Sequence, residues 1–244
     1  MPYLTKNNKN ILFIRVPRNG SASLSVSFER NGWKHVCRPN SNADIKRRLV
    51  IKYASFSEHI HKIKKNNLSI DDIQYIFTVL RDPVERVESF FRMMIGRGPN
   101  RETSKNPGSY KGGFTINEMY PDGPDTTLIP IDTWWYQFKD RILEGLWTKS
   151  QAPLVNGLLT WDHCGEHTNI NKDIFLYKKE TYKTIYTTLN NRLNINLPAV
   201  HIHAPTTESL YNYCFSDKVK KEIQNYYIKD YELIDKLTRE GGFS

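Results

Sequence analysis

The chain has 244 residues, 39% of them hydrophobic and 12% aromatic, with 35 Lys and Arg against 26 Asp and Glu for a formal net charge of +9. That length and apolar content exclude a disordered polyelectrolyte and fit one domain, with room for insertions, around a sizeable core. No stretch approaches the roughly 18 apolar residues of a membrane helix, and the opening "MPYLTKNNKN" lacks the apolar region of a secretory signal. Three widely spaced cysteines (Cys37, Cys164, Cys214) make no disulfide framework, so a reduced, cytoplasmic protein without a membrane partner is expected.

In chain order, the apolar run 11–16 ("ILFIRV") predicts a buried strand, and residues 23–31 predict a short helix after a turn. Residues 30–65 hold ten Lys and Arg against only Asp44 and Glu58, a local net charge of +8. Such a cluster suits a polyanion (nucleic acid, acidic polysaccharide or nucleotide), and equally a solvated face. Within it "LVIKYAS" (49–55) is a second strand candidate. "IQYIFTVL" (73–80) is a third, apolar enough for a central parallel strand. In the following "RDPVERVESFFRMMIG", Asp82 is placed to cap a helix, with Pro83 at its first position and Glu85 completing a capping-box pattern. Val84, Val87, Phe91, Met94 and Ile95 form one apolar face of that helix.

Residues 97–130, rich in Gly, Pro, Asn, Ser and Thr, predict a long loop insertion, and loops of that length commonly carry function. A helix is expected over 131–146, carrying Trp134 and Trp135. "DIFLYKK" (173–179) predicts a fourth strand, with a helix after it to about residue 193. Residues 216–237 read as one long amphipathic helix with Val219, Ile223, Tyr227, Tyr231 and Ile234 inward. Strands alternating with helices predict an α/β domain with a central, mainly parallel sheet flanked by helices, and the phosphate-loop likeness described below implies a P-loop-like three-layer form of it. Neither an internal repeat nor a domain boundary is evident, so a single domain over 1–244 is expected.

A strand, a tight turn and a helix build phosphate sites in α/β proteins, because main-chain N–H groups and a helix N-terminus then face the anion. In "VPRNGSAS", Gly20 permits close approach, Asn19, Ser21 and Ser23 carry donors, and Arg18 supplies fixed charge. The nucleoside-triphosphate version of this loop, G-x-x-x-x-G-K-[ST], is absent. A kinase-like P-loop phosphotransferase is therefore the distant alternative, and it would show magnesium-dependent nucleotide affinity. A non-catalytic polyanion-binding module is a third reading, predicting steep salt dependence, although no nucleic-acid-binding motif is present.

"RVPRNGSASL" resembles the P-K-T-[GA]-[GS]-T-S loop of sulfotransferases that use 3′-phosphoadenosine-5′-phosphosulfate (PAPS). "VLRDPVERVESFF" resembles their second signature, R-D-P-x-x-R-x-x-S, with Arg81 and Ser89 at the family spacing of eight. "KKETYKTIYTTLNNRL" and "IKDYELIDKL" are similar to later elements of the same group, so the likeness spans nearly the whole chain. Its flavour is that of the carbohydrate branch typified by heparan sulfate 2-O-sulfotransferase, whose loop also begins Arg-Val-Pro. The resemblance implies that Arg15, Pro17, Arg18, Asn19, Gly20, Ser21, Ala22 and Ser23 form the 5′-phosphosulfate loop. It implies that Arg81 and Ser89 hold the 3′-phosphate, and that the product is adenosine 3′,5′-bisphosphate (PAP). It further implies a hydroxyl-bearing acceptor, an acidic saccharide by the branch. Arg18 stands where the family has a lysine, turning a point donor into a planar fork. Ala22 stands where a threonine is usual, removing a hydroxyl.

Sulfuryl transfer to a hydroxyl needs a base for its proton and positive charge on the departing phosphate. Arg18 supplies the charge. "SFSEHIHKI" offers His59 and His61, and the related enzymes place a histidine about twenty residues before the R-D-P arginine; His59 stands 22 before Arg81. His59 is thus the expected base, with His61 facing the other way in a strand; either could also be an ordinary core or surface histidine. "HCGEH" (163–167) and "HIH" (201–203) match no zinc-site spacing, so no metal is expected. Trp134, Trp135 and the 97–130 loop are candidates to line an acceptor groove, with core packing the commoner role for tryptophan.

Overall fold

The computed structural model describes residues 3–35, 55–65, 69–95, 130–144, 148–159, 170–178, 180, 182–200 and 214–244. Strands β1 (Tyr3–Lys6) and β2 (Lys9–Ile14) form a hairpin closed by Asn7 and Asn8, both at positive φ (48° and 59°), which a two-residue hairpin turn demands. The Asn-Asn pair in "TKNNKN" is the sequence signal for β1, a strand missing from the sequence reading. Strands β3 (Lys34–His35), β4 (Tyr75–Arg81) and β5 (Asn171–Tyr177) complete one five-stranded sheet, ordered β3-β1-β2-β4-β5. β2–β4 and β4–β5 are parallel, whereas β1 pairs antiparallel with both β2 and β3. The expected mainly parallel sheet is therefore corrected to a mixed one. The short hairpin turn is the cause, since only antiparallel neighbours can be joined by two residues.

β4 is buried on both faces. Tyr75, Phe77 and Val79 enter one core with Ile11, Phe13 and Phe175, while Ile76 and Leu80 enter the other with Leu12, Ile14 and Ile174. Phe13 and Phe77 pair across the ladder with rings 4.4 Å apart and 7° from parallel, a contact worth about 0.5–1.5 kcal/mol beyond the area it buries. The first core is covered by helices α1 (Ser21–Arg30), through Leu24 and Phe28, and α6 (Tyr182–Leu193). The opposite core is covered by α2 (Phe56–Lys65) and α5 (Ala152–Leu159). Gly157 of α5 lets α2 approach: a Cβ there would stand 3.1 Å from Ser57 Oγ and 3.3 Å from the Phe56 ring.

The strand candidate at 49–55 and the loop at 97–130 lie almost wholly outside the described residues. Ser55 is described, and it caps α2. Its N–H and hydroxyl donate to Glu58 Oε2 (2.6 and 2.9 Å), and its Oγ accepts from Glu58 N–H at 3.3 Å. That is a capping box, and "SFSE" announces it in the sequence.

The chain divides into two compact units. The first comprises Met1–Arg81, Ser150–Ile202 and Glu232–Ser244; the second comprises Asp82–Lys149 and His203–Tyr231. In the second unit, α3 (Pro83–Ile95) begins as expected, with Asp82 Oδ1 accepting from Glu85 N–H at 2.9 Å. Val84, Val87, Phe90 and Phe91 pack against α4 (Ile131–Leu143) and α7 (Asp217–Tyr226). Trp134 and Trp135 are 0% and 1% exposed in this core; they are packing residues and line no groove. The single helix expected over 216–237 is two, α7 and α8 (Ile228–Arg239), broken at Tyr227. The buried Tyr227 ring lies 5.2 Å from the Arg86 guanidinium, and its hydroxyl donates to the Thr148 carbonyl at 2.6 Å. These tertiary bonds override a helical pattern that runs through residue 227.

Candidate functional site

The segment after β2 is anchored at the carboxyl end of the parallel strands. β2 stops pairing at Ile14, opposite Thr78, whereas β4 runs on to Arg81 beside β5. Pro17, buried and without an N–H, suits the exit from the ladder. Arg18 (φ 65°) and Gly20 (φ 73°) are both left-handed, and Asn19 between them is not. Alternating handedness of this kind turns successive N–H groups toward one side. For an arginine the conformation costs about 1–2 kcal/mol, and strain of this kind concentrates at functional sites. Gly20 has a second reason to be glycine: a Cβ would stand 3.1 Å from the Tyr182 ring and 3.3 Å from that of Tyr177.

Gly20 caps α1, whose first helical bond runs from Leu24 N–H to the Gly20 carbonyl at 3.1 Å. The amides ahead of Leu24 therefore point out of the positive end of the helix. Arg81 adds a guanidinium beside this turn. Its Nη1 donates to the Arg18 carbonyl at 3.3 Å, and its Cζ lies 4.6 Å over the Tyr177 ring. Arg18 and Arg81 are both half-buried, keeping part of each side chain open to solvent.

Not every predicted ligand residue faces outward. Asn19 is fully buried, and its Nδ2 donates to the Val79 carbonyl (2.8 Å) and to Gln151 Oε1 (2.6 Å). Its donors are committed to the protein, so Asn19 shapes the turn and is not the anion donor expected. Its Oδ1, with no hydrogen-bond partner among the described residues, is an acceptor and offers nothing to an anion. Ser21 and Ser23 are buried, and Ser23 is hydrogen-bonded to the Tyr182 hydroxyl. Burial, first, and the bond to Tyr186 push the Tyr182 phenol well above its ordinary range, so it stays neutral. Arg15 is buried and Ala22 half-buried. Main-chain amides and the guanidiniums of Arg18 and Arg81 are the donor types gathered at the turn, and such groups suit phosphate or sulfate oxygens. Gln151, absent from the sequence reading, is the residue that holds this arrangement. No pattern in the sequence around residue 151 marks it.

His59 lies on α2, not on a strand, and is 0% exposed. Phe56, His59 and Ile63 share the buried face, while His61, about 200° further around the helix, is exposed. Ser89 is half-buried on α3, within the second unit. The two histidine-rich segments at 163–167 and 201–203 lie outside the described residues. No cluster of metal-ligating side chains, and no helix long and apolar enough to cross a membrane, occurs among the described residues.

No family model matches the chain, and neither curated proteins nor solved structures provide a match.

Proposed function

We propose that the protein is a PAPS-dependent sulfotransferase acting on a hydroxyl, with an acidic saccharide as the acceptor class. The observation that carries the reading is the meeting of two signatures: the Arg18–Gly20 turn and Arg81 are neighbours at the carboxyl ends of parallel strands. Ligands of open α/β sheets bind at such ends. In the reaction the acceptor oxygen attacks sulfur and the bond from sulfur to the 5′-phosphate oxygen breaks. A sulfate ester, PAP and one proton result. The amides of the α1 N-terminus and Arg18 neutralise charge developing on the departing phosphate. Arg81 holds the nucleotide's 3′-phosphate.

His59 is the proposed base for the acceptor proton. Its burial means that acceptor binding has to uncover the imidazole, and burial is also where a core histidine would stand. His59→Ala separates the two: a base gives a turnover loss of roughly 10²–10⁴-fold with PAP affinity kept. A core histidine gives a lower melting temperature with turnover of the folded fraction intact. The primary test is calorimetric titration with PAP. Micromolar binding that does not need magnesium supports the proposal; no binding at high micromolar concentration overturns it.

A further inference from the structure

β4 is a central strand, yet its last three residues, Val79 to Arg81, run past the final pair that β2 makes with it, Ile14 with Thr78. Beyond Thr78 three main-chain groups, the Val79 carbonyl and both groups of Arg81, are bonded to two side-chain amides. Asn19 Nδ2 donates to the Val79 carbonyl at 2.8 Å. Gln151 Nε2 donates to the Arg81 carbonyl at 2.6 Å, and Gln151 Oε1 accepts the Arg81 N–H at 3.0 Å. One glutamine amide thus pairs both main-chain groups of Arg81, as a neighbouring strand would. The same Oε1 accepts from Asn19 Nδ2 at 2.6 Å, joining the turn to the strand end. Gln151 is 1% exposed, and its own carbonyl accepts from Leu154 N–H at 2.9 Å, so the start of α5 fixes its position.

We propose that Gln151 is a positioning residue for the anion site, coupling the Arg18–Gly20 turn to Arg81 so that the helix amides and both guanidiniums address one ligand. The inference rests on the function proposed above. Bonds in a buried network of this kind act together, and losing one member leaves the others' polar groups unsatisfied.

The test uses the full chain with Gln151→Ala, Gln151→Met (equal length, no hydrogen bonds), Asn19→Ala and the double variant Asn19→Ala with Gln151→Ala. Two readouts are amide hydrogen exchange of the protein alone and titration with PAP. Both Gln151 variants should speed exchange at residues 18–23 and 79–81 while leaving the β1–β2 hairpin unchanged. PAP affinity should fall roughly tenfold, and Asn19→Ala should cost less affinity in the Gln151→Ala background than in the wild type. Wild-type exchange and affinity in Gln151→Met would mean that only the volume of Gln151 matters and would overturn the inference. So would additive losses, or faster exchange throughout the sheet. If the wild type itself fails to bind PAP, the sulfotransferase reading falls, and the exchange pattern alone still decides whether Gln151 holds the turn to the strand.

Discussion

Arg81 and Arg86 stand five positions apart in the single motif "RDPVER", yet their surroundings give them opposite employment. In the first unit Arg81 is half-buried; among its contacts are the Arg18 carbonyl and the Tyr177 ring. In the second unit Arg86 is 0% exposed. Its guanidinium donates to the Lys149 and Thr148 carbonyls at 2.8 Å each and lies 3.9 Å from the equally buried Asp230. A motif read as one binding signature therefore contains one half-buried arginine and one whose charge is wholly enclosed by the fold. Desolvation makes the difference, because a fully buried cation survives only when the protein replaces its water.

Substitution should separate the two arginines. Arg86→Ala should have the largest effect, destabilising the protein by about 3–5 kcal/mol in denaturant unfolding, because it removes the cation beside buried Asp230 and the donors to two carbonyls. Near-wild-type stability would mean that Arg86 is not a structural charge. Arg81→Ala should behave oppositely. Stability should change little while PAP affinity weakens by about 1.5–3 kcal/mol, the value of a charged hydrogen bond. Affinity for adenosine 5′-phosphosulfate, which has no 3′-phosphate, should stay almost unchanged; equal losses for both nucleotides would make Arg81 a mere support.

Two smaller effects sharpen each side. In the first unit, Tyr177→Leu removes the ring under Arg81 and should weaken PAP by about 0.5–1 kcal/mol, whereas Tyr177→Phe should bind like the wild type. A loss with Phe equal to that with Leu would point to the hydroxyl and away from the ring. In the second unit, Glu88 is buried, and this burial raises its carboxyl above its ordinary value of 4.5 despite the Phe215 N–H it accepts at 3.1 Å and Arg92 at 3.6 Å. Between the ordinary value and the raised one the folded state binds more protons than the unfolded state. Stability contributed by this group therefore falls as pH rises through that window. Glu88→Gln should flatten the slope of melting temperature against pH just above 4.5; a slope identical to the wild type would assign it to another group.

The helix that the sequence announces with both hydrophobic period and capping chemistry, α3, starts at its Asp82 cap as expected. The strands β2, β4 and β5, announced by apolar runs alone, are present with their ends shifted by a few residues. The β1–β2 turn and the α2 capping box have local signals in "TKNNKN" and "SFSE", but β1 ("YLTK") and α2 ("FSEHIHKIKK") themselves carry no long apolar run. Tyr227 fits a helical stripe, and only its bond to Thr148 and its contact with Arg86 show why the helix stops there.

For the candidate site, residue types and spacing by themselves determined the strand–turn–helix, the glycine at the left-handed cap and the arginine that ends β4. These are local matters, set by main-chain conformation and by neighbours a few positions away. Tertiary structure alone decided which polar side chains remain available. Asn19 and Ser23 read as ligands in one dimension, but in three they are bonded to Val79, Gln151 and Tyr182. The assignment of Gln151 to the end of β4, 70 positions from Arg81, came from packing as well. Hydrogen bonds between distant residues depend on where the chain returns, and no period or motif near residue 151 encodes that.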